Sequence, residues 1–478
     1  MTLAICIILL IVSLLGCMIL NADLIYGMLA GMFIFMIAAV RSGFGIRQVL
    51  RMMLKGIRES FIVVGVLLII GAMTGIWRGC GTIQQLVVYG TKLIHPKLFI
   101  LFAFLLPAAV SYLIGTSFGT SASIGVVMMT LCQMSGANPV LTAGAVMSGI
   151  FFGDRASPAS SCAHLNAHLT ETEIYGNVKA MLKDCIPASV IAIGLYTFLS
   201  ILNPLQTVDT HILSSLENEY RLSPLLLIPA LIILISPLIK INIKAAMGVS
   251  ILCASFLAVF LQGMSLSELA RTLILGYEAK GELASLLSGG GLRSMLHSSG
   301  MIIISATYSG IFNGTDMLSS AEELLEKLSA RLSPYQITAL TSLPIIMFSC
   351  NQTLALMLHA PLIKPLYQKS IQNKAHEVSS DAAAKPAQQN CTHGAPPAEQ
   401  LQTGEGKLKM MLDLSDTTVV FSALVPWCLA CSMPLEMLGA SPACIPFAFF
   451  LYLPAIVALV RDKRNSAAQN GNRSAGCL

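Results

Sequence analysis

The stretch FILFAFLLPAAVSYLIGTSFGTSASIGV, which runs from Phe99 to Val126, decides the fold class. Its first part has no charged residue and is long enough to enter a bilayer whose hydrocarbon core is about 30 Å thick. Pro107 lies inside this apolar part, and a run rich in glycine and hydroxyl residues follows from Gly115. Glycine and proline let a backbone leave helical geometry. The stretch therefore predicts a membrane helix that is interrupted within the bilayer.

The composition extends this conclusion to the whole chain. Of its 478 residues, 55% are hydrophobic and only 11% are charged, and the mean hydropathy is +0.75. An ordinary soluble domain has about 25% charged residues. The composition therefore predicts a polytopic membrane protein and excludes soluble enzymes, DNA-binding proteins and disordered scaffolds. The positive residues behind the net charge of +5 lie in loops beside apolar spans, so we expect membrane lipid around the protein and no nucleic-acid partner.

Apolar segments recur along the chain, which predicts an all-α fold with about 10–14 membrane segments. The uninterrupted segments are 2–20, 24–40, 60–77, 98–114, 184–202, 223–239, 245–262, 300–313, 334–350, 417–433 and 442–460. Glycine, proline and hydroxyl residues interrupt three more, at 115–133, 139–153 and 352–367. No basic region precedes the first segment, so we expect a retained transmembrane helix and not a cleaved signal.

Internal repetition divides the chain into two units. Residues 46–57 and 266–277 share one amphipathic spacing of apolar residues. GIWRG at 75–79 corresponds to GIFNG at 310–314, and each is followed by a proline-containing span and a hydroxyl-rich break. The paired features are separated by 220 to 240 residues, so the pattern predicts a duplication. Chance similarity between amphipathic connecting segments is the alternative.

The placement of Lys and Arg indicates that the two units are inverted relative to each other. The first amphipathic segment carries Arg47, Arg51, Lys55 and Arg58, whereas the second carries both signs of charge. By the positive-inside rule, the first segment lies at the cytoplasmic surface. We therefore expect two inverted-topology repeats with broken helices or hairpins, cytoplasmic N- and C-termini, and a location in the bacterial inner membrane. Inverted repeats around a midplane site are common in secondary transporters.

The predicted boundaries follow from these spans. They are 1–202 for the first transmembrane repeat, 203–222 for a connecting loop, 223–460 for the second transmembrane repeat and 461–478 for a cytoplasmic tail. Within the second repeat, 369–410 is polar and low in complexity. Such a composition predicts a flexible loop, which we expect on the cytoplasmic side.

The polar breaks of the first half are where we expect ion binding. An unwound helix exposes carbonyl groups, which are tolerated in lipid only where they line a cavity or bind an ion. Together with hydroxyls and a carboxylate, such carbonyls suit a small hard cation such as Na⁺. The candidates in the runs 115–121 and 153–161 are Thr116, Ser117, Thr120, Asp154, Ser157 and Ser160. Asp154 either faces a cavity or pairs with the adjacent Arg155, and close helix packing is the alternative for the small residues.

In the second half, an acidic residue is the main candidate. A carboxylate near the membrane midplane is costly and points to ion or proton handling. Asp416 would bind Na⁺ when ionised and take up a proton when the cation leaves. We interpret Asp413 as a helix-start residue. Neutral oxygens would come from Asn351, Gln352 and Thr417.

Three other motifs have no predicted chemistry. Cys428 and Cys431 form a CxxC inside an apolar run, which is more typical of packing than of a redox or metal site. His164 and His168 have the spacing of metal ligands on a helix but lack the zincin glutamate and an apparent third ligand. The glycine run 289–291 is not a nucleotide-binding loop, because no strand precedes it and no GK[ST] motif follows. None of these three motifs therefore predicts an enzyme active site.

Three segments resemble the NhaC family of Na⁺/H⁺ antiporters, within the larger ion transporter superfamily. They are GTSFGTSASIGV (115–126), LTAGAVMSGIFFGDRASPASS (141–161) and SDTTVVFSALVPW (415–427). The resemblance implies a multi-pass plasma-membrane exchanger of Na⁺ or Li⁺ for protons that uses no cofactor and no ATP. Some members of the family exchange malate for lactate, and others carry amino acids with Na⁺.

Three positions depart from the family pattern. The SPxSDTT motif has lost its aspartate, because Ser160-Ser161-Cys162-Ala163 stands at that point. The pair often written Asp-Gln is Asn351-Gln352, and the acidic-Asp-Ser triplet before the PW motif is Ser415-Asp416-Thr417. Fewer acidic ligands favour a site that an organic substrate completes.

Three hypotheses follow. The first is a secondary active antiporter that exchanges Na⁺ or Li⁺ for H⁺ by alternating access. The second is a Na⁺-coupled transporter or exchanger of a small carboxylate or amino acid, of the malate/lactate type. The third is a membrane component or membrane enzyme without transport activity, in which replacing Asp416 would change no flux. The sequence leaves the oligomeric state open, and a homodimer is one option.

Overall fold

The structure is a computed structural model in which most of the chain is described. The residues outside the description are 1, 21, 94, 205–219, 237–240, 242, 280–283, 285–287, 316–327, 330–331, 384–397 and 476–478. Within the described residues there is no β-strand, and the β pairing consists of one isolated bridge between Tyr277 and Gly289. The prediction of an all-α protein is confirmed.

The first half of the chain forms helices α1 to α10. They are α1 (Thr2–Ile19), α2 (Leu24–Arg41), α3 (Ile46–Cys80), α4 (Thr82–Leu93), α5 (Phe99–Ile114), α6 (Ser117–Thr120), α7 (Val126–Met134), α8 (Pro139–Ala156), α9 (Ser161–Thr170) and α10 (Ile174–Leu202). A 3₁₀ turn at Pro96–Leu98 leads into α5, and a π-helical turn at Ser121–Gly125 joins α6 to α7. A π-helical turn is rare and frequently marks a functional site.

The second half forms helices α11 to α19 within its described residues. They are α11 (Ile228–Ile235), α12 (Ile243–Phe260), α13 (Leu266–Leu275), α14 (Leu296–Gly314), α15 (Pro334–Ser349), α16 (Gln352–Ala383), α17 (Ala398–Leu414), α18 (Leu429–Leu438) and α19 (Leu453–Ala475). A second π-helical turn, Ser415–Val419, follows α17 directly. Each half therefore contains one π-helical turn beside a hydroxyl-rich sequence.

Several of these helices have the length and composition of membrane spans. Leu24–Arg41, Pro96–Ile114 and Ile174–Leu202 are each long and apolar enough to cross a bilayer. Shorter apolar helices in the described residues are Leu67–Cys80, Pro224–Ile233, Lys244–Phe260 and Leu429–Leu438. The helices fit a multi-pass membrane protein, and the total number of membrane segments stays a prediction.

Helices α5 and α15 end in the same way. Each has 16 residues and an internal proline, Pro107 in α5 and Pro344 in α15. Each is followed by a residue in the left-handed region, Gly115 with φ of 71° and Cys350 with φ of 54°. A left-handed residue terminates a helix, and here a new helix begins two residues later. The prediction of broken helices is confirmed at both places.

Helices α5 and α8 pack side by side in parallel. A Cβ atom added at Gly149 would overlap the backbone at Phe104, and one added at Gly153 would overlap the backbone at Ser111. The contacts therefore advance in the same direction along both helices. Because small residues let helices approach closely, these glycines hold α8 directly against α5.

The interruptions after α5 and α8 consequently lie beside each other. A Cβ at Gly115 would overlap the backbone of Ala159 and Ser160. The Ser157 hydroxyl donates to the Tyr112 carbonyl at 2.6 Å. Two breaks far apart in sequence thus form one polar region.

Helix α3 is unusually long and crosses α14 at close range. Its 35 residues extend over about 52 Å at 1.5 Å per residue, which exceeds a hydrocarbon core of about 30 Å. An added Cβ at Gly56 would overlap the Ala306 carbonyl, and one at Gly310 would overlap the Met52 carbonyl. The N-terminal part of α3 is therefore fixed against α14 near one end of the bundle.

The segment 369–410, predicted as a flexible loop, is helical at both ends. Helix α16 continues to Ala383 and α17 begins at Ala398, while 384–397 lies outside the described residues. These ends are rich in Ala, Gln, Glu and Lys, which favour helix. The predicted connecting loop at 203–222 falls largely on undescribed residues, and the predicted tail from 461 continues α19 without a break as far as Ala475.

Candidate functional site

Three interrupted segments meet at the side chain of Gln352, the first residue of α16, and a fourth reaches the Asp154 carboxylate that Gln352 contacts. The amide nitrogen of Gln352 donates to the Asp154 carboxylate at 3.2 Å and to the Val419 carbonyl at 3.0 Å. The backbone N–H of Ser117 lies beside the same carboxylate. One carboxylate near the end of α8 is therefore linked to the break before α6, the break before α16 and the π-helical turn after α17.

Asp154 lies at this crossing without a positively charged partner among the described residues. Its side chain is buried, with 4% of the residue exposed. Its contacts in the described part of the chain are an amide and a backbone N–H, and they include no ion pair. Burying an ionised carboxylate without a counter-ion is strongly unfavourable. The group therefore requires a proton or a cation.

The neighbouring Arg155 points into a different cluster. Its guanidinium forms an ion pair with Asp416 and a second one, at 3.2 Å, with Asp184 of α10. It also donates to the Met181 carbonyl at 3.2 Å. Arg461 of α19 pairs with the other oxygen of Asp184. We name Arg155, Asp184, Asp416 and Arg461 the ion cluster.

The ion cluster is electrically balanced, with two guanidinium groups and two carboxylates. Asp416, our main candidate from the sequence, is 1% exposed and lies in the π-helical turn, but Arg155 neutralises it. The pairing of Arg155 with Asp154, which the sequence left open, does not occur among the described contacts. Asp184 was not among the candidate residues predicted from the sequence. Its position could have indicated a role, because it is an acidic residue at the start of the predicted span 184–202.

The predicted hydroxyls of the first half bond mainly to backbone atoms. Thr116 accepts from the Gly119 N–H at 3.1 Å and caps α6, while the Thr120 hydroxyl donates to the Thr116 carbonyl at 2.8 Å. The Ser160 hydroxyl donates to the Asp154 carbonyl at 2.5 Å. These hydroxyls support the unwound backbone, as free helix ends require, and Ser160 fixes the position of Asp154.

The predicted neutral residues of the second half have separate roles. Asn351 accepts from the Thr353 and Leu354 N–H groups at 2.9 and 3.3 Å, so it caps α16. Its neighbour Gln352 reaches Asp154. The Thr417 hydroxyl donates to the Asp413 carbonyl at 2.6 Å within the π-helical turn.

Two further buried polar contacts lie in the second half. Asp413 is not a helix-start residue, because it lies in the last turn of α17. There it accepts from the Tyr367 hydroxyl at 2.5 Å. His359 lies between the Thr418 hydroxyl at 2.7 Å and the Thr341 hydroxyl at 2.8 Å. His359 and Tyr367 were missed, although both are polar residues inside the apolar segment 352–367.

The remaining motifs lie apart from this crossing. His164 contacts the Pro158 carbonyl at 3.0 Å. In the searched, described residues, no group of three or more His, Cys, Asp or Glu side chains is arranged to hold a metal ion. Cys428 and Cys431 are buried free thiols, in agreement with packing.

Comparison with known proteins identifies relatives along most of the chain. A family model described as the Na⁺/H⁺ antiporter family matches residues 1–167 and 149–382. The malate-2H(+)/Na(+)-lactate antiporter of Bacillus subtilis (strain 168) is 28% identical over 345 residues, which are 70% of this chain and 74% of that protein. The Na(+)/H(+) antiporter NhaC of the same organism is 24% identical over 434 residues, 88% of either chain.

A third relative is named for a different substrate pair. The arginine/ornithine antiporter ArcD of Halobacterium salinarum (strain ATCC 700922 / JCM 11081 / NRC-1) is 26% identical over 309 residues, 60% of this chain and 64% of that protein. The resemblance to NhaC proteins drawn from the sequence is confirmed. Because the family model covers far more than half of its length, the chain belongs to the Na⁺/H⁺ antiporter family.

Proposed function

We propose that this protein exchanges Na⁺ for H⁺ across the membrane and that Asp154 is the group for which the two ions compete. One observation carries the assignment: Asp154 is a buried carboxylate at the crossing of the broken helices, and it has no ion pair in the described structure. An intramembrane carboxylate of this kind is by default a site of ion or proton handling.

Competition follows from the charge of the site. With a proton bound, Asp154 is neutral and stable in its buried position. With the proton lost, the negative charge requires Na⁺ as its counter-ion. The carboxylate therefore holds one ion or the other, and access to alternating sides of the membrane turns this competition into exchange.

The oxygens around Asp154 suit a hard cation. The Val419 carbonyl and the Gln352 amide are joined by a hydrogen bond beside the carboxylate. Ser117 lies on the opposite break, where its N–H contacts Asp154. Carboxylate, carbonyl and hydroxyl oxygens are the ligand types that hard cations prefer. We assign Na⁺ to this group of oxygens, with no resident cofactor and no enzymatic step.

Asp416 is the rival assignment. It is buried and lies on the π-helical turn, but its negative charge is already compensated by Arg155. Sodium binding there would require the ion pair to open. We therefore assign Asp416 to positioning Arg155. Asp413 is also buried, but it bonds Tyr367 away from the crossing and follows Lys409 by one helical turn.

We further propose that the two halves are inverted repeats that rock around this crossing. Support comes from the matching ends of α5 and α15 and from the π-helical turn in each half. By the positive-inside rule, the basic residues at the start of α3 support a cytoplasmic position for that end of the bundle. We propose that both termini also lie on the cytoplasmic side and that the membrane is a bacterial inner membrane. A homodimer is compatible with this arrangement.

The test is exchange in proteoliposomes that contain no organic solute. We expect an imposed Na⁺ gradient to drive proton movement in the native protein and Asp154→Asn to abolish it. The matched control is Glu278→Gln, which removes an exposed carboxylate paired with Arg271 and should leave the rate unchanged.

Two results would overturn the assignment. Absence of Na⁺-driven proton movement in the native protein would reject Na⁺/H⁺ exchange itself. Full activity in Asp154→Asn, combined with its loss in Asp416→Asn, would move the exchange group to Asp416.

Exchange of a small carboxylate or amino acid is the second candidate. It is favoured by the buried guanidinium of Arg155, whose Nε has no hydrogen-bond partner among the described residues. A relative that exchanges malate and lactate points the same way. The test is Na⁺ movement in proteoliposomes with and without lactate or malate inside. If this second function is correct, Na⁺ moves only when such a solute is present.

A further inference from the structure

We propose that the start of α3 and the end of α14 form a binding site for the phosphate headgroup of an anionic phospholipid. The site is a cavity of about 490 Å³ between the two helices. It is lined by Gln48, Arg51, Met52, Lys55, Gly56, Gly310 and Gly314. We name it the basic cavity.

The charge of the basic cavity is unbalanced. Arg51 and Lys55 lie one turn apart on α3, and Arg47 and Arg58 extend the same series. All four side chains are exposed, and none of them forms an ion pair with a described residue. Four cations without an ion-pair partner among the described side chains create a positive potential that attracts an anion.

The neighbouring surface is apolar, which indicates a lipid as the source of that anion. Ile46, Leu50 and Leu54 alternate along the same helix with the basic residues and are 63%, 46% and 64% exposed. An amphipathic segment with basic and apolar residues lies at the boundary between headgroups and acyl chains. A lipid would place its phosphate in the cavity and its acyl chains against these side chains.

The position along α3 supports this placement. The helix is too long for the hydrocarbon core, and its apolar part is Leu67–Cys80. The basic cavity lies more than two turns before that part, where a helix leaving the core reaches the headgroups. Gly56 and Gly310 hold α3 and α14 in contact at the floor of the cavity. The cavity is therefore built by backbone packing and does not depend on a mobile loop.

The ligand chemistry is a phosphate monoanion, which has two sources, a lipid headgroup or free phosphate. Guanidinium and ammonium groups bind phosphate oxygens through charge-assisted hydrogen bonds. Free phosphate would use the cations alone, whereas a lipid would also use the apolar residues. We assign the lipid because the basic residues and the exposed apolar residues lie next to each other on the same turns of α3.

The test uses the full-length protein in nanodiscs of phosphatidylcholine to which phosphatidylglycerol is added in steps. Retention of phosphatidylglycerol is measured by native mass spectrometry after release from the discs. Each basic residue near an anionic surface contributes about 1 kcal/mol, which is about fivefold in affinity. The double variant Arg51→Gln/Lys55→Gln should therefore retain phosphatidylglycerol about 25-fold more weakly.

The matched control is Lys179→Gln/Lys183→Gln, which removes two exposed cations with the same spacing on α10. It should leave retention within about twofold of the native protein, because these two lysines do not line the basic cavity and do not contact the headgroup bound there. A third variant, Leu50→Ser/Leu54→Ser, keeps the cations and should weaken retention of the lipid.

The following outcomes would overturn the proposal. Equal retention of phosphatidylglycerol and phosphatidylcholine would show that the cavity does not select an anion. Equal losses of phosphatidylglycerol retention in Arg51→Gln/Lys55→Gln and in Lys179→Gln/Lys183→Gln would show that basic residues attract the lipid in general and that the cavity is not a specific site. Displacement of the lipid by equimolar inorganic phosphate, with no effect of the serine variant, would reject the lipid in favour of free phosphate.

Discussion

Asp154 and Arg155 are adjacent in sequence, yet they lie in opposite electrostatic surroundings. Asp154 faces an amide and a backbone N–H, whereas Arg155 faces two carboxylates. The ion cluster needs no further charge to be stable, and the Asp154 crossing needs a proton or a cation. Charge balance, and not burial or acidity alone, therefore separates the proposed ion-exchange site from a structural ion pair.

The largest expected effect is on the ion cluster. Replacing Arg155 by Met leaves Asp416 without its cationic partner and removes one of the two cationic partners of Asp184. Removing one partner of a buried ion pair destabilises a protein by about 3–5 kcal/mol. We expect a clearly lower midpoint of thermal aggregation for Arg155→Met, measured by size-exclusion chromatography after heating. A midpoint equal to that of the native protein would show that the cluster is not structural.

A second change should restore part of this loss. In Arg155→Met/Asp416→Leu, the unpaired Asp416 carboxylate is gone and Asp184 keeps Arg461. Residues that share an ion pair show a coupling free energy of about 1–3 kcal/mol in a double-mutant cycle. The cycle is measured by thermal stability of the two single variants and the double variant. Additive effects would contradict the pairing.

Asp154→Asn should change stability much less. The substitution replaces a carboxylate that holds a proton or a cation by a neutral amide of the same size. Loss of a hydrogen bond to a charged acceptor and relief of desolvation act in opposite directions, so we expect a change within about 1 kcal/mol. The same thermal assay checks it. A loss of thermal stability as large as that of Arg155→Met would show that Asp154 has a structural role.

The smallest effect concerns an exposed ion pair. Glu171 contacts Lys364 and Lys407, both at 2.7 Å. Hydrogen bonds to Lys364 and Lys407, followed by their charges, lower the pKa of Glu171 from 4.5 to about 2. A lowered pKa in the folded state means that the stabilisation is present above pH 4.5 and is lost as the pH falls towards 2.

Because Glu171 is exposed, solvent screens this contribution. We expect Glu171→Gln to approach the stability of the native protein only as the pH falls to about 2 and to be slightly less stable at pH 7. Hydrogen exchange of the backbone amides in α16 and α17 measures the difference. If the variant and the native protein exchange equally at each pH, the ion pair does not hold these helices together.

The breaks of the fold could be predicted from sequence because their causes are local. Gly115 ends α5 in the left-handed backbone region, which glycine adopts readily, whereas the helix continues through Pro107. The site could be predicted only as a set of candidate residues. Whether Arg155 pairs with Asp154 or with Asp416 depends on a contact between residues 261 positions apart, and no local pattern contains that information. Asp184 and Gln352 gained their roles from the same long-range packing.

The hydrogen bonds of Gln352 couple ion binding at Asp154 to the contact between the end of α8 and the π-helical turn after α17. Its amide nitrogen serves the Asp154 carboxylate and the Val419 carbonyl together. An arriving cation repels an N–H donor and attracts the amide oxygen, so the amide would have to rotate by half a turn. That rotation releases Val419 and frees the turn after α17 from the end of α8. A single side chain thereby converts occupancy of the carboxylate into looser or tighter contact between distant parts of the polypeptide.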